Sequence, residues 1–144
     1  MIKNLKRTQK KLSALDDELK KELSKQLAVG ANKIRNTAID NMKSSPPDAG
    51  RTYKRRSVSH SASFPSNPPR VDTGNLVNSI TVKGSGIKYN VGSRSQAPYG
   101  KWLEFGTSTM AARPWLRPAL EANQDDINRA IKKALKEGIK KVVR

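Results

Sequence analysis

A chain of 144 residues fits one domain, and its lack of cysteine and single histidine exclude a disulfide framework, a thiolate metal site and histidine metal clusters. The formal net charge of +17 favours a polyanion or an acidic protein as partner. Apolar residues are 35% of the chain and the mean hydropathy is −0.74, so we expect part of the structure to complete its burial against other subunits.

No apolar run approaches the roughly 18 to 20 residues that a membrane-spanning helix needs. The N-terminal residues are basic but lack the apolar segment of a signal peptide. We therefore expect a soluble protein, made in a cytoplasm, that has no membrane partner.

Apolar residues recur at steps of three and four from Leu12 to Met42, which predicts a helix from about Asn4 to Lys43. Their mean spacing of about 3.75 suits a nearly straight helix and not a heptad coiled coil. Such a helix is about 60 Å long at 1.5 Å per residue, too long for a domain of this size to cover. Gly30 favours a kink or break near its middle.

The segment 44–72 begins with Ser-Ser-Pro-Pro, which ends the helix because proline disfavours the α conformation of the residue before it. It is rich in serine and proline and has no apolar periodicity, so it is predicted to be an arm or loop that orders on assembly. His60 lies there without neighbouring ligands and is assigned no role. The segment also holds a basic cluster that either contacts phosphates or is simply solvated, formed by Lys54, Arg55 and Arg56.

Regular structure is predicted to resume at Thr73, with a short helical turn followed by two strands joined at Gly84 to Gly86. The residues from Tyr99 to Phe105 fit either a short helix or a strand, of which we favour the helix, and a basic amphipathic helix from near Pro118 completes the chain. The expected class is α+β: a long N-terminal helix, a small antiparallel sheet built on a hairpin, and an amphipathic C-terminal helix packed on the sheet. The parts are 1–43, 44–72 and 73–144, within one domain overall.

The stretch from Trp102 to Leu120 contains both tryptophans, and its large apolar residues are expected to supply much of the core. Glu104 is the only acidic residue between Thr73 and Leu116, and a carboxylate beside an apolar cluster must be paired or hydrogen-bonded. The partner that we expect for it is Arg113 or a group of a neighbouring subunit. A packing role is favoured over a binding site, and the predicted structural hub consists of Trp102, Glu104, Phe105, Arg113 and Trp115.

Nothing in the sequence supports catalysis. It contains no GxSxG, HExxH or P-loop motif, and Glu104 has neither a second carboxylate nor a histidine in its sequence neighbourhood. Signatures of sequence-specific nucleic-acid readers are also lacking. We expect no enzymatic activity and no cofactor.

Three motifs follow one another between Asp72 and Glu121: Thr73-Gly74-x-Leu76 with Ser79-Ile80, then Tyr99 to Thr107 ending in Glu-Phe-Gly-Thr, then Ala-Arg-Pro-Trp-Leu-Arg-Pro-Ala-Leu at 112–120. In this order and spacing the chain resembles the neck and tail-completion family of long-tailed bacteriophages, which includes the minor tail protein Z of lambda. The long N-terminal helix is in keeping with that resemblance.

The resemblance implies a structural protein of the virion neck or tail, made in the host bacterial cytoplasm and acting as a ring of identical copies, with six copies matching tail symmetry. Its neighbours would be other neck proteins, the tail-tube or terminator protein, and the exiting viral DNA, bound without sequence specificity. A tail-terminator ring and a sequence-independent nucleic-acid-binding protein remain as alternatives. The residues expected to contact DNA or an acidic partner are Lys6, Arg7, Lys10, Lys11, Lys54, Arg55 and Arg56.

Overall fold

The computed structural model describes residues 2–143, with the side-chain surroundings of residues 5–48 and 51–141. Met1 and Arg144, at the outer ends of the predicted segments, lie outside that range. The described elements, in order, are α1 (Ile2–Ser44), β1 (Pro47–Arg55), β2 (Val58–Ser63), α2 (Asn75–Ser79), β3 (Ile80–Ser85), β4 (Lys88–Ser93), α3 (Gly100–Phe105) and α4 (Arg117–Val143). The α+β class predicted from the sequence is confirmed.

Helix α1 continues unbroken through Gly30, where the sequence favoured a kink or break. A Cβ atom at this position would lie 3.0 Å from Cγ1 of Ile127 in α4, so the missing side chain allows the two helices to approach closely. This contact offsets the roughly 1 kcal/mol that glycine costs in a helix relative to alanine. The buried part of the apolar stripe is C-terminal and includes Ala31, Ile34, Ala38 and Met42.

Helix α4 lies antiparallel to α1, which is its main packing partner, rather than chiefly on a sheet as predicted. Lys33 of α1 pairs with Asp126, whereas Glu18, fifteen residues earlier, pairs with Lys141, fifteen residues later. Equal steps in opposite directions define the antiparallel register. Gly138 contributes a second close approach, since a Cβ there would lie 2.9 Å from the tip of a leucine in α1.

The N-terminal end of α1 extends beyond α4. In the register of the two helices, Val143 at the end of α4 lies opposite about residue 16, so roughly the first 14 residues of α1, about 20 Å of helix, have no α4 beside them. We call residues 2–15 the α1 overhang. Leu5 and Leu12 in it are 66% and 60% exposed.

Strands β3 and β4 form the hairpin that the sequence predicted, with Val82 opposite Val91. The turn lies one to two residues later than expected, because Gly84 is still paired within the strand. Its φ of 154° is in the region that favours glycine, and a Cβ would lie 2.2 Å from the backbone oxygen of Lys88. No other residue type fits there without moving the backbone.

Strands β1 and β2 form a second antiparallel hairpin within the segment that was expected to lack regular structure. Its turn passes through Arg56, whose φ is 55°, and its register is irregular between Pro47 and Thr52. Most of its residues are exposed on both faces, and Ser63, at the end of β2, is buried. Because neither face is apolar, the strands leave no alternating hydrophobic pattern in the sequence.

The core lies where the C-terminal half of α1 meets α2, β3 and the start of α4. Its buried members are mostly small or medium-sized, and Met42 and Ile80 are the largest apolar side chains that are almost fully enclosed. The core comprises Ile34, Ala38, Met42, Leu76, Ile80, Ala97, Trp115 and Ala119. The expectation that Trp102 and Phe105 contribute to this core is wrong, since they are 55% and 76% exposed.

Candidate assembly site

Glu104 joins α3 to α4 through backbone hydrogen bonds. Its Oε2 accepts the N–H groups of Trp115 at 2.7 Å and Leu116 at 2.9 Å, and its Oε1 accepts that of Arg117 at 2.9 Å. The first N–H groups of a helix have no intrahelical partner and carry partial positive charge, so a carboxylate is well placed there. The pairing expected between Glu104 and Arg113 is therefore wrong: the carboxylate caps α4 instead.

The loop between α3 and α4 folds back tightly enough to bring Glu104 to that helix end. Gly106 has a φ of 74°, and a Cβ on it would lie 2.8 Å from the backbone oxygen of Met110 and 2.9 Å from the nitrogen of Ala112. The chain then returns alongside α3, where the N–H of Arg113 donates to the carbonyl of Leu103 at 2.7 Å. The glycine thus sets the return path on which the cap depends.

Arg113 ties the β1–β2 hairpin to this junction. Its side chain is 7% exposed, and its Nε donates to the carbonyl oxygen of Ser63, the last residue of β2, at 3.1 Å. The backbone N–H of Ser66 also donates to the carbonyl of Ala112, at 2.9 Å. Two bonds therefore connect the end of the hairpin to the residues just before α4.

The two tryptophans have opposite environments. Trp115 is 3% exposed, and its Nε1 donates to the carbonyl oxygen of Gly100 at 2.9 Å, so it belongs to the core. Trp102 and Phe105 project outward from α3. Of the predicted hub, Glu104, Arg113 and Trp115 lie together inside the junction, while the other two residues form an exposed aromatic surface. A joint role of the five in assembly stays a prediction.

The predicted basic contacts lie at opposite ends of α1. Lys54, Arg55 and Arg56 occupy the tip of the β1–β2 hairpin, and Arg55 lines the same cavity as Met42 near the C-terminal end of α1. The second group is exposed on the α1 overhang and consists of Lys6, Arg7, Lys10 and Lys11. The structure therefore does not combine them into one patch, and Arg55 is already paired with Asp72 at 3.1 Å.

A polar cluster surrounds Asp72, and no motif in the sequence indicates it. Its carboxylate accepts a hydrogen bond from the Tyr53 hydroxyl at 3.2 Å, and Nδ1 of His60 lies 3.8 Å from it. Burial, followed by the nearby charge of Asp72, raises the pKa of Tyr53. Tyr53 and His60 are cross-strand neighbours with ring centroids 5.2 Å apart, a pairing that only the hairpin register reveals.

In the described part of the chain, the acidic, histidine and cysteine side chains form no group of three that could hold a metal ion. None of its helices is both long and apolar enough to cross a membrane.

Comparison with known proteins gives one match. A family model described as "Bacteriophage HK97-gp10, putative tail-component" matches residues 6–106, which include most of α1, both hairpins and α3 and exceed two thirds of the chain. Searches of curated proteins and of solved structures returned no match. The matched range agrees with the resemblance seen at residues 73–80 and 99–107, whereas the motif at 112–120 lies beyond it. The chain belongs to the HK97-gp10-like family of bacteriophage tail components.

Proposed function

We propose that this protein is a structural component of the phage head–tail junction, which assembles as a ring and joins the tail to the DNA-filled head. It acts by assembly, without chemical turnover. Membership of a tail-component family supports a structural role in the virion. The position at the junction, the ring and its six copies are the proposed refinements.

The observation that carries the ring proposal is the α1 overhang. A helix projecting about 20 Å beyond its only long partner is poorly stabilised by its own chain, because most helical stability in proteins comes from packing of an apolar face. Leu5 and Leu12, seven residues apart, lie near one side of this helix and are exposed. Packing against a neighbouring copy would bury them.

Trp102 and Phe105 supply a second exposed apolar surface, on α3. In a ring of identical copies each subunit uses two different surfaces, one toward each neighbour. The overhang and the α3 aromatics are candidates for these two surfaces. Clusters of exposed aromatic and aliphatic side chains are typical of interaction sites and not of isolated monomers.

The exposed basic side chains fit the same function. The hairpin tip and the α1 overhang carry exposed lysine and arginine side chains at separate ends of the subunit. One end can therefore face the exiting DNA while the other meets an acidic neck protein. Neither contact requires sequence-specific recognition.

A test is to delete the gene from the phage that encodes this chain. The proposal predicts that DNA-filled heads and finished tails accumulate separately, and that adding the purified protein joins them. Tails of abnormal length would instead indicate the tail-terminator alternative.

The nucleic-acid-binding alternative makes a different prediction. The free monomer would bind duplex DNA with nanomolar affinity, and the affinity would fall steeply with salt. The observation that favours this alternative is the high net charge of +17. Presence of the protein in purified virions as a ring would contradict it.

A further inference from the structure

A half-open cavity of about 430 Å³ lies between the β1–β2 hairpin, the segment 69–77 and α3. Its lining combines apolar and charged side chains. Apolar side chains form part of the wall, and charged side chains form the rest. The members that matter here are Met42, Leu76 and Leu103 on the apolar side, and Arg70, Asp72 and Arg113 on the charged side.

Arg113 brings unused hydrogen-bond donors to this cavity. Arg113 is 7% exposed, and its Nε donates a hydrogen bond to the carbonyl of Ser63. Across the described residues, its two terminal nitrogens have no acceptor. They are not sealed off either, because in that part of the chain the only fully buried side-chain polar atom without a partner is Oγ of Ser63. A guanidinium offers five N–H donors, so most of those on Arg113 remain available.

The side chains around the cavity carry a net positive charge that an anion can neutralise in part. Arg55, Arg70 and Arg113 face one carboxylate, that of Asp72, which gives a formal charge of +2 with the histidine neutral. Asp72 is already engaged by Arg55 at 3.1 Å and by the hydroxyl of Tyr53 at 3.2 Å. The excess positive charge therefore belongs to Arg70 and Arg113.

We propose that this cavity receives the carboxylate of a glutamate or aspartate side chain presented by a segment of a different protein. The planar fork of Arg113 matches a carboxylate, which can accept two parallel hydrogen bonds. The apolar wall of Met42, Leu76 and Leu103 suits the methylene groups that carry such a carboxylate. The inference concerns the isolated chain and does not depend on the proposed place in the virion.

Two other occupants fit less well. A phosphate of duplex DNA has no flexible apolar stem to place against Met42, Leu76 and Leu103. A second copy of the same chain is a poor source of the carboxylate, because it offers 12 acidic residues against 29 lysines and arginines. An acidic segment of another protein meets neither obstacle and is attracted by the net positive charge.

The test uses the full chain, labelled with ¹⁵N, and follows the Nε–Hε resonance of Arg113 by NMR. N-acetyl-glutamate N-methylamide is the carboxylate probe, and the corresponding glutamine compound, at matched ionic strength, is its neutral control. We expect a saturable shift with the glutamate probe and none with the glutamine control. Absence of a saturable shift would overturn the proposal.

Variants locate the binding. Arg113→Lys, followed through the backbone amides of Leu76 and Val77, is expected to weaken binding of the glutamate probe about tenfold, because the bidentate geometry is lost. Arg70→Gln is expected to weaken it about threefold through charge. Arg117→Gln removes the same charge from a side chain that pairs with Glu121 outside the cavity, and should leave binding unchanged. If Arg113→Lys fails to fold, the last two variants decide, and equal effects from both would refute the proposal.

Two further titrations identify the occupant. Inorganic phosphate should shift the Arg113 resonance less than the glutamate probe, and an equal saturable shift would mean a general anion site, contrary to the proposal. Without any probe, raising the protein concentration should not move the resonance to the position that it takes with the glutamate probe. A concentration-dependent shift to that position would show that a second copy fills the cavity, which also contradicts the proposal.

Discussion

The carboxylate of Glu104 lies 2.7 Å from the backbone nitrogen of Trp115, so a side chain at the end of α3 caps the beginning of α4. The tight turn at Gly106 makes this contact possible. The same turn places the exposed aromatic surface of α3 in a fixed orientation relative to the α1–α4 pair. Stability of the subunit and the orientation of the proposed assembly surface thus depend on one junction.

Glu104→Gln tests the cap. A glutamine carbonyl replaces two carboxylate oxygens, so at least one of the three N–H groups loses its acceptor and the favourable charge is removed. We expect the free energy of unfolding to fall by about 1–3 kcal/mol, measured by urea denaturation. Glu121→Gln, in an exposed pair with Arg117, is the matched control and should change it by about 0.5 kcal/mol or less. An equal effect of both substitutions would argue against the cap.

Trp115→Ala and Trp102→Ala should separate stability from assembly. Removal of the buried Trp115 leaves a cavity and an unpaired carbonyl at Gly100, and is expected to cost about 3–5 kcal/mol of unfolding free energy. Trp102→Ala and Phe105→Ala should change the stability of the monomer by about 0.5 kcal/mol or less. Analytical ultracentrifugation should nevertheless show weaker self-association of these two variants. If they associate like the wild type, α3 is not an assembly surface.

Gly30→Leu tests the close approach of α1 and α4. The new side chain must occupy the space filled by Ile127, which is 3.0 Å from where a Cβ would lie. We expect a loss of about 1–3 kcal/mol in thermal or urea unfolding, despite the better helix propensity of leucine. Gly138→Ala is the milder comparison, because its nearest neighbour is the movable tip of Leu19. A more stable Gly30→Leu protein would show that the helices are not tightly packed there.

Acid should weaken the contact between α1 and α4. The hydrogen bond and charge of Lys141 lower the pKa of Glu22, and the hydrogen bonds from Lys33 and Arg129 lower that of Asp126. The unfolded chain then binds more protons, so this contribution is present above the ordinary pKa values of 4.5 and 3.8 and is lost as pH falls through the lowered ones.

The measurement is the midpoint of thermal unfolding between pH 7 and pH 2.5. We expect it to fall below about pH 4.5, and to fall less steeply in 1 M salt, which screens exposed pairs. The double variant Glu22→Gln, Asp126→Asn should have a flatter acid limb than the wild type. An unchanged acid limb in the double variant would assign the acid sensitivity to other carboxylates.

Much of the helical framework could be predicted from the sequence. The recurring apolar residues between Leu12 and Met42 and the proline that follows α1 located that helix to within a few residues. The charge gradient and Pro118 did the same for α4, and alternation in β4 revealed its hairpin. These signals are local, and local periodicity reports directly on one buried face.

The remaining features depend on contacts between distant parts of the chain. The β1–β2 hairpin has no apolar face, so no alternating hydrophobic pattern in the sequence indicates it. The choice between Arg113 and backbone N–H groups as partners of Glu104 depended on the path of the loop after Gly106. The exposure of Trp102 and Phe105 could not be inferred from residue type, since large apolar residues occur both in cores and at interfaces.

We propose above all that this chain forms a ring between head and tail. The most direct measurement is a cryo-electron microscopy map of the intact virion into which the subunit is fitted. We predict a closed ring of identical copies at the head–tail junction, with the α1 overhang packed on a neighbouring protein chain. A map in which the chain is absent from that junction, or lies elsewhere in the tail, would contradict the claim.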